Sequence, residues 1–340
     1  MIHNTKYLIP FILSFFPVVF AIPFLLWVGE KCSFSKAAKR LGGLVVILIF
    51  VLMVIFNKDL VITKPIAGIV TGGLLILLFG LWDDLKNINW KWQLISQIII
   101  AIIAISFGVR SEFVTNPFGG IIELANPLTY TILYTLYIIL FINSLNWLDG
   151  VDGLSGSVTL VALGTIFFLS LLPHVNQPAV AILSAISGGA ILGFLVFNWH
   201  PARIMAGTSG AWFFGFLLAS LSIFAGAKIA TVLMATLIPV LDLANVIRER
   251  HKVGESIFRG GDNRHLHHKL VKLGLEEKQI VSLVCVVSVI IGLAALNLSA
   301  LGKLIFILLF SVGYLFIMRL IDYKIPNSQF PISDKNPNVQ

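Results

Sequence analysis

The sequence predicts an all-α, polytopic membrane protein: one helical bundle of about eleven transmembrane helices. Three observations predict it. Of the 340 residues, 58% are apolar and only 12% charged, about half the charged share of a soluble domain. The mean hydropathy is +0.96. The apolar residues fall in uncharged runs, and a helix of about 20 such residues crosses a bilayer. A water-soluble globule of this size has no interior large enough for them, and disorder needs low hydrophobicity. Nucleic acid is not an expected partner despite the net charge of +8, because in a membrane chain such a charge reports basic loops. Cys32 and Cys285 lie far apart without metal-ligand spacing, so no disulfide framework or thiolate site is expected.

The runs are taken in chain order. Residues 7–29 form the first, read as a retained helix because its apolar core is too long for a signal peptide. Residues 41–57, 65–82, 92–109 and 124–148 follow. Residues 153–202 contain no Asp, Glu, Lys or Arg and are too long for one crossing. The segment Pro173-His174-Val175-Asn176-Gln177-Pro178 divides them into two spans, since two prolines around polar residues make a turn. Residues 204–227 come next, then 229–247 with Asp242 near the end, 279–302, and a short last span at 304–318. One domain covers 1–323, and 324–340, rich in proline, is expected to be a mobile cytoplasmic tail.

Eleven crossings put the two termini on opposite sides. Of the 24 Lys and Arg residues, 18 fall on one set of loops and 6 on the other. Basic loops stay cytoplasmic, so the N-terminus is expected outside and the C-terminus inside. The unusual polar clusters, which played no part in that assignment, all fall on the cytoplasmic side.

The first cluster is Asp83-Asp84, at the end of the third span. Adjacent carboxylates repel and favour a cation or separate partners. Neighbours on a helix point about 100° apart, so the two are expected to do different jobs. A merely solvated acidic pair at the membrane edge is the plainer alternative. The second is Asn143-Ser144-Leu145-Asn146-Trp147-Leu148-Asp149-Gly150-Val151-Asp152-Gly153. Asn146, Asp149 and Asp152 recur every third residue, and a helical turn would bring them to one side. Hard oxygens at this spacing suit Mg²⁺, while a simple Asp-Gly turn is the alternative. The third runs from Arg259 to Leu270 and holds Arg264, His265, His267 and His268. It reads as a cationic patch able to hold phosphate, with His265 and His268 on one helical face. No cysteine or carboxylate pattern completes a zinc site there. Carboxylates for a divalent cation beside basic groups for phosphate suit the joining of a charged cytosolic substrate to a lipid.

In this order the motifs resemble the polyprenyl-phosphate N-acetylhexosamine-1-phosphate transferases. The likeness runs from Arg40-Leu41-Gly42-Gly43 through Asp83-Asp84, Asn143 to Gly153, Gly207 to Gly210 and Pro239-Val240-Leu241-Asp242 to His265-Leu266-His267-His268. The His-Leu-His-His form resembles the N-acetylglucosamine branch. The resemblance implies transfer of a sugar 1-phosphate, with N-acetylglucosamine as the sugar, from a UDP-N-acetylhexosamine to undecaprenyl or another polyprenyl phosphate, releasing UMP. It implies Mg²⁺, with Mn²⁺ as the alternative, and a multi-pass enzyme working at the cytoplasmic face of the cell membrane. A homodimer is compatible with it.

On the same resemblance, Asp83 deprotonates or orients the lipid phosphate. Asp84 supports it or helps hold the metal. Asn146 ligates the metal, and Asp149 and Asp152 organise nucleotide sugar and metal. Asn143, Arg203, Arg264, His265, His267 and His268 bind substrate. Direct attack by the lipid phosphate is preferred to a covalent aspartyl intermediate. Two positions depart from the family pattern. The segment Gly207-Thr208-Ser209-Gly210-Ala211 stands where Gly-Asp-(Ser/Thr)-Gly-Ser is usual, so Thr208 occupies the place of an acidic metal ligand. Lys39 replaces a proline. The competing readings are a catalytically impaired homologue that binds lipid and a lipid transporter, although transporters carry their charges nearer the midplane.

Overall fold

In a computed structural model, residues 2–226, 228–256 and 264–324 are described. The described residues form fourteen helices in order: α1 (Ile2–Lys31), α2 (Ser35–Ala38), α3 (Gly42–Phe56), α4 (Lys64–Lys86), α5 (Trp90–Ser106), α6 (Pro127–Leu148), α7 (Leu154–Leu171), α8 (Pro178–Asn198), α9 (Gly207–Phe224), α10 (Ile229–Ala235), α11 (Leu237–Lys252), α12 (Leu266–Lys272), α13 (Glu277–Asn297) and α14 (Ala300–Lys324). The all-α expectation needs one small addition. Phe113–Thr115 and Ile121–Glu123 pair as antiparallel β1 and β2 between α5 and α6.

Each predicted span contains helix. Among the described residues, eight helices are long and apolar enough to cross a membrane, and nine if the bent pair α10–α11 counts as one span. The segments expected at 41–57 and 92–109 yield helices of 15 and 17 residues, at or below the usual spanning length. The last span is longer than expected, 25 residues. The ninth is broken rather than merely ending in a polar residue: α10 and α11 meet at 78°. Pro239 accounts for the break, since it cannot donate to the carbonyl of Ala235 and its ring crowds that carbonyl. The expected tail beyond 324 lies outside the described residues.

The helix ends follow local chemistry. Pro65, Pro127 and Pro178 occupy first turns, where no amide hydrogen is needed. Asn89 and Asn126 accept from Lys91 N and Leu128 N and cap α5 and α6. Glu276 and Gln279 form a capping box on α13.

Helix α9 is the hub, packed against α3, α4, α6 and α7, with Trp212, Phe213, Phe214 and Phe216 fully buried. Small residues bring backbones close to it, as in other membrane bundles. A Cβ at Gly80 would lie 2.5 Å from Ser209 Cα, and one at Gly43 would overlap the Gly210 backbone. The rim is apolar outward: Phe20 and Phe24 of α1, and Leu309 and Val312 of α14, are among the most exposed large side chains. In water such a surface would drive association; in a bilayer it meets lipid.

Candidate active site

Helix α4 stops at Asn87, which adopts a left-handed conformation (φ 47°) and donates its N–H to the Asp83 carbonyl. The chain then turns into α5. That turn aims Ile88 N at Asp83 Oδ1, 2.9 Å away, and Gln93 Nε2 donates to the same oxygen at 2.9 Å. Asp83 Oδ2 accepts from Thr208 Oγ1 at 2.6 Å. Asp84 instead caps α9. Its Oδ1 accepts from Thr208 N (2.6 Å), and its Oδ2 accepts from Ser209 N (3.1 Å) and Ser209 Oγ (2.8 Å). A carboxylate there meets both the orphan amides and the positive end of the helix dipole. Gly207 makes this possible. Its φ is +69°, and a Cβ would lie 2.8 Å from both Asp84 oxygens. The two aspartates thus share Thr208 through different atoms, Asp83 taking its hydroxyl and Asp84 its backbone N–H, and otherwise have different partners.

The second cluster does not form one helical face. Helix α6 ends at Leu148, and the next residues turn, with Gly153 at φ +79°. Asp149 accepts a very short hydrogen bond from Ser155 Oγ. Loss of hydration pushes its carboxyl up to about 7, against the Ser155 bond, and the charges of Asp84 and Asp152 add to the rise. Asp152 is bound elsewhere: its Oδ2 accepts from Ala202 N at 2.9 Å and lies 3.2 Å from His200 Nδ1. Asn146 is half-buried one turn before Asp149. Asn143 donates to Gln97 Oε1 at 2.7 Å and to the Ile139 carbonyl.

The histidines reach this end of the bundle from α12. His265 precedes the helix in an extended conformation (ψ 148°), so it does not share a helical face with His268, although the two rings come within 6.5 Å. Instead its ring stacks on His267 (centroids 5.5 Å, 5° between planes), and His267 contacts His268 at 4.2 Å. Asp242 holds His265: its Oδ2 lies 2.7 Å from Nδ1, and its Oδ1 accepts from Leu266 N at 2.8 Å. Trp147 meets the His265 ring edge-on at 5.6 Å. His267 packs on Gly150, where a Cβ would lie 2.9 Å from Nε2. Thus α12 sits directly on the aspartate turn.

The expected cationic patch needs correction. Burial and the neighbouring imidazoles push His267 down to about 3, so it is neutral at cellular pH. Both of its buried ring nitrogens have no hydrogen-bond partner among the described residues. Arg264 pairs with Glu255 at 3.0 Å. Lys269 is buried and pairs with Asp322 of α14 at 2.6 Å. Arg203 is exposed. Residues Arg259 to Asn263 of this motif lie outside the described residues. Both cysteines are free, as expected.

Gln93 and Gln97 were not anticipated as site residues. They lie four apart on α5 and join Asp83 and Asn143 respectively. The available signal was two amides at helical spacing in the run Trp92 to Ile103, otherwise apolar except for Ser96.

Residues 66–226 match the family model for glycosyl transferase family 4. The chain is 27% identical over 276 residues to a probable undecaprenyl-phosphate N-acetylglucosaminyl 1-phosphate transferase of Bacillus subtilis, covering 78% of this chain and 75% of that protein. It is 28% identical over 277 residues to a decaprenyl-phosphate N-acetylglucosaminephosphotransferase of Mycobacterium tuberculosis, covering 72% and 68%. It is 27% identical over 306 residues to a phospho-N-acetylmuramoyl-pentapeptide-transferase of Orientia tsutsugamushi, covering 79% and 82%.

Proposed function

Because the chain belongs to glycosyl transferase family 4, we propose that it transfers N-acetylhexosamine 1-phosphate, with N-acetylglucosamine as the sugar, from a UDP-sugar to a polyprenyl phosphate. An oxygen of the lipid phosphate attacks the phosphorus that carries the sugar. A P–O bond forms there, the bond to the bridging oxygen of the diphosphate breaks, and that oxygen leaves with UMP.

The observation that carries this reading is the Asp83 carboxylate. It is fixed at the end of α4 by Gln93, Ile88 N and Thr208, and the neighbouring Asp84 pins the first turn of α9. Asp83 takes the proton of the lipid phosphate or orients its attacking oxygen. Asp84 acts through α9 as a positioning residue, because all the donors its oxygens accept from belong to the first turn of that helix. His265, oriented by Asp242, and His267, whose two ring nitrogens have no partner among the described residues, receive phosphate or sugar groups. Buried polar atoms of that kind are costly without a partner.

The donor set fits Mg²⁺: Asp83, Asn146, Asp149 and the Thr208 hydroxyl are hard oxygens. Burial first, and then the charges of Asp84 and Asp152, raise the pKa of Asp149, and a cation beside it would offset that cost. When bound, the ion would offset the diphosphate charge and stabilise the leaving UMP.

The concentration of 18 of 24 Lys and Arg on one set of loops supports a cytoplasmic site. Labelling of Asn87→Cys by an impermeant reagent outside intact cells would overturn that orientation. The reaction is tested with membranes, Mg²⁺, undecaprenyl phosphate and radiolabelled UDP-N-acetylglucosamine or UDP-N-acetylgalactosamine. Labelled lipid with UMP release is expected. A folded protein giving no labelled lipid with either sugar would refute the proposal.

A further inference from the structure

Three side chains converge beside the carboxylates already described. Asp152 comes from the turn after α6, His200 from the loop between α8 and α9, and Glu277 from the start of α13. His200 Nδ1 lies 3.2 Å from Asp152 Oδ2 and 3.0 Å from Glu277 Oε2. All three candidate ligand atoms lie within 4.8 Å of one another. One imidazole nitrogen carries at most one hydrogen, so it cannot give two straight hydrogen bonds to two carboxylates. Even a protonated ring brings one positive charge against two negative ones. A divalent cation closes that balance.

The distances agree. Around a tetrahedral Zn²⁺ with bonds of about 2.0–2.2 Å, neighbouring ligand atoms stand roughly 3.4 Å apart, close to the two separations found. The imidazole favours Zn²⁺-like ions over Mg²⁺. The site is also reachable: the His200 and Glu277 side chains are 36% and 41% exposed. They line a cleft of about 360 Å³ with Val271, Leu275, Glu276 and Lys278, which leaves a fourth position for water.

We propose that Asp152, His200 and Glu277 form a Zn²⁺-type site, separate from the Mg²⁺ donors near Asp83. The site would tie the start of α13 to the turn at 149–153. Because α12 lies just before α13 and rests on Gly150, the ion would hold the histidine helix over the aspartates. The inference does not depend on which sugar or lipid the protein uses.

The test uses untagged full-length protein in detergent with Mg²⁺ in excess. Zn²⁺ is added alone and measured by equilibrium dialysis, and Co²⁺ substitution reports coordination through its visible absorption. One Zn²⁺ per chain is expected, with a Co²⁺ spectrum of tetrahedral type. His200→Ala and Glu277→Gln should each weaken binding at least about ten-fold, and Asp83→Asn should not. Glu277→Gln, isosteric and part-exposed, decides the matter if His200→Ala folds poorly. Absence of retained Zn²⁺ in wild type, or equal binding by wild type and Glu277→Gln, would overturn the proposal. The second result would direct attention to the histidines of α12.

Discussion

The carboxylates at the end of α4 and the histidines beside α12 lie at the same end of the bundle, yet they are held differently. Asp83 and Asp84 grow from a 23-residue span and lock onto α9, a deeply enclosed helix, through short bonds to Thr208 and Ser209. Helix α12 has seven residues and owes its placement to contacts made by side chains. Asp242 grips His265, Lys269 reaches Asp322, and His267 rests on Gly150. The comparison teaches that one half of the site is built by packing of long spans and the other by a short helix held by polar contacts and by Leu270 in the core. Substitutions should therefore separate chemistry from positioning.

The largest effect is expected at the packed half. In Asp83→Asn the amide keeps the shape and still accepts from Gln93, while the Asp84 contacts to α9 stay intact. The variant should be folded and inserted, with transfer reduced about 10²–10⁴-fold, the usual loss when a general base is removed. Release of UMP from labelled UDP-sugar measures it. Turnover near wild type would assign Asp83 to structure alone.

At the other half, Asp242→Asn should lower the rate roughly 10–100-fold, as loss of an orienting carboxylate does. The isosteric amide can still accept from Leu266 N but no longer fixes the proton on His265 Nδ1. A purely structural role would lower the melting temperature without altering the pH–rate profile. An orienting role alters the profile while Tm stays close to wild type. An unchanged rate and profile would detach His265 from the reaction.

These two halves were not equally legible. The apolar runs located every long helix, because spans need long uncharged stretches whatever they pack against, while the short α2 and α12 lie between the runs. Asp83, Asp84 and the histidines stood out because polar groups between such runs are costly. The partners were harder to read. That Asp84 caps α9, 124 residues away in sequence, depends on close approach of α4 and α9 at Gly80, and periodicity carries no such information. The expected face formed by Asn146, Asp149 and Asp152 failed because α6 ends at Leu148. The charge of the patch was overestimated because sequence does not reveal that Lys269 is buried on Asp322 or that His267 is dehydrated.

A smaller effect concerns Asp149, at the seam between the halves. Its folded pKa of about 7 lies above the model-compound value of 3.8. The neutral form is therefore favoured by folding, and its contribution is fully present below about pH 4. That contribution is lost as pH rises through about 7. In chelator, wild-type Tm should fall by on the order of a few degrees more than that of Asp149→Asn between pH 5 and 8. Parallel Tm curves for the two proteins would show that Asp149 is hydrated and not at the seam.

The smallest effect is expected from Thr208→Asp, and it tests the packed half most finely. The Thr208 hydroxyl donates to Asp83 Oδ2 while its backbone N–H donates to Asp84. A neutral hydroxyl lets three polar side chains meet without a cation. A carboxylate in its place would face Asp83 across hydrogen-bonding distance, and two like charges so close favour a bridging cation. Ligand charge also raises affinity for hard cations. The variant should therefore be less stable than wild type in chelator and gain more Tm on adding Mg²⁺. Half-maximal UMP release should need up to about ten-fold less Mg²⁺. Identical Mg²⁺ titrations would remove Thr208 from the metal's surroundings. Wild-type inactivity at every metal concentration, with turnover restored by Thr208→Asp, would make the natural chain an impaired relative whose packed half survives without its chemistry.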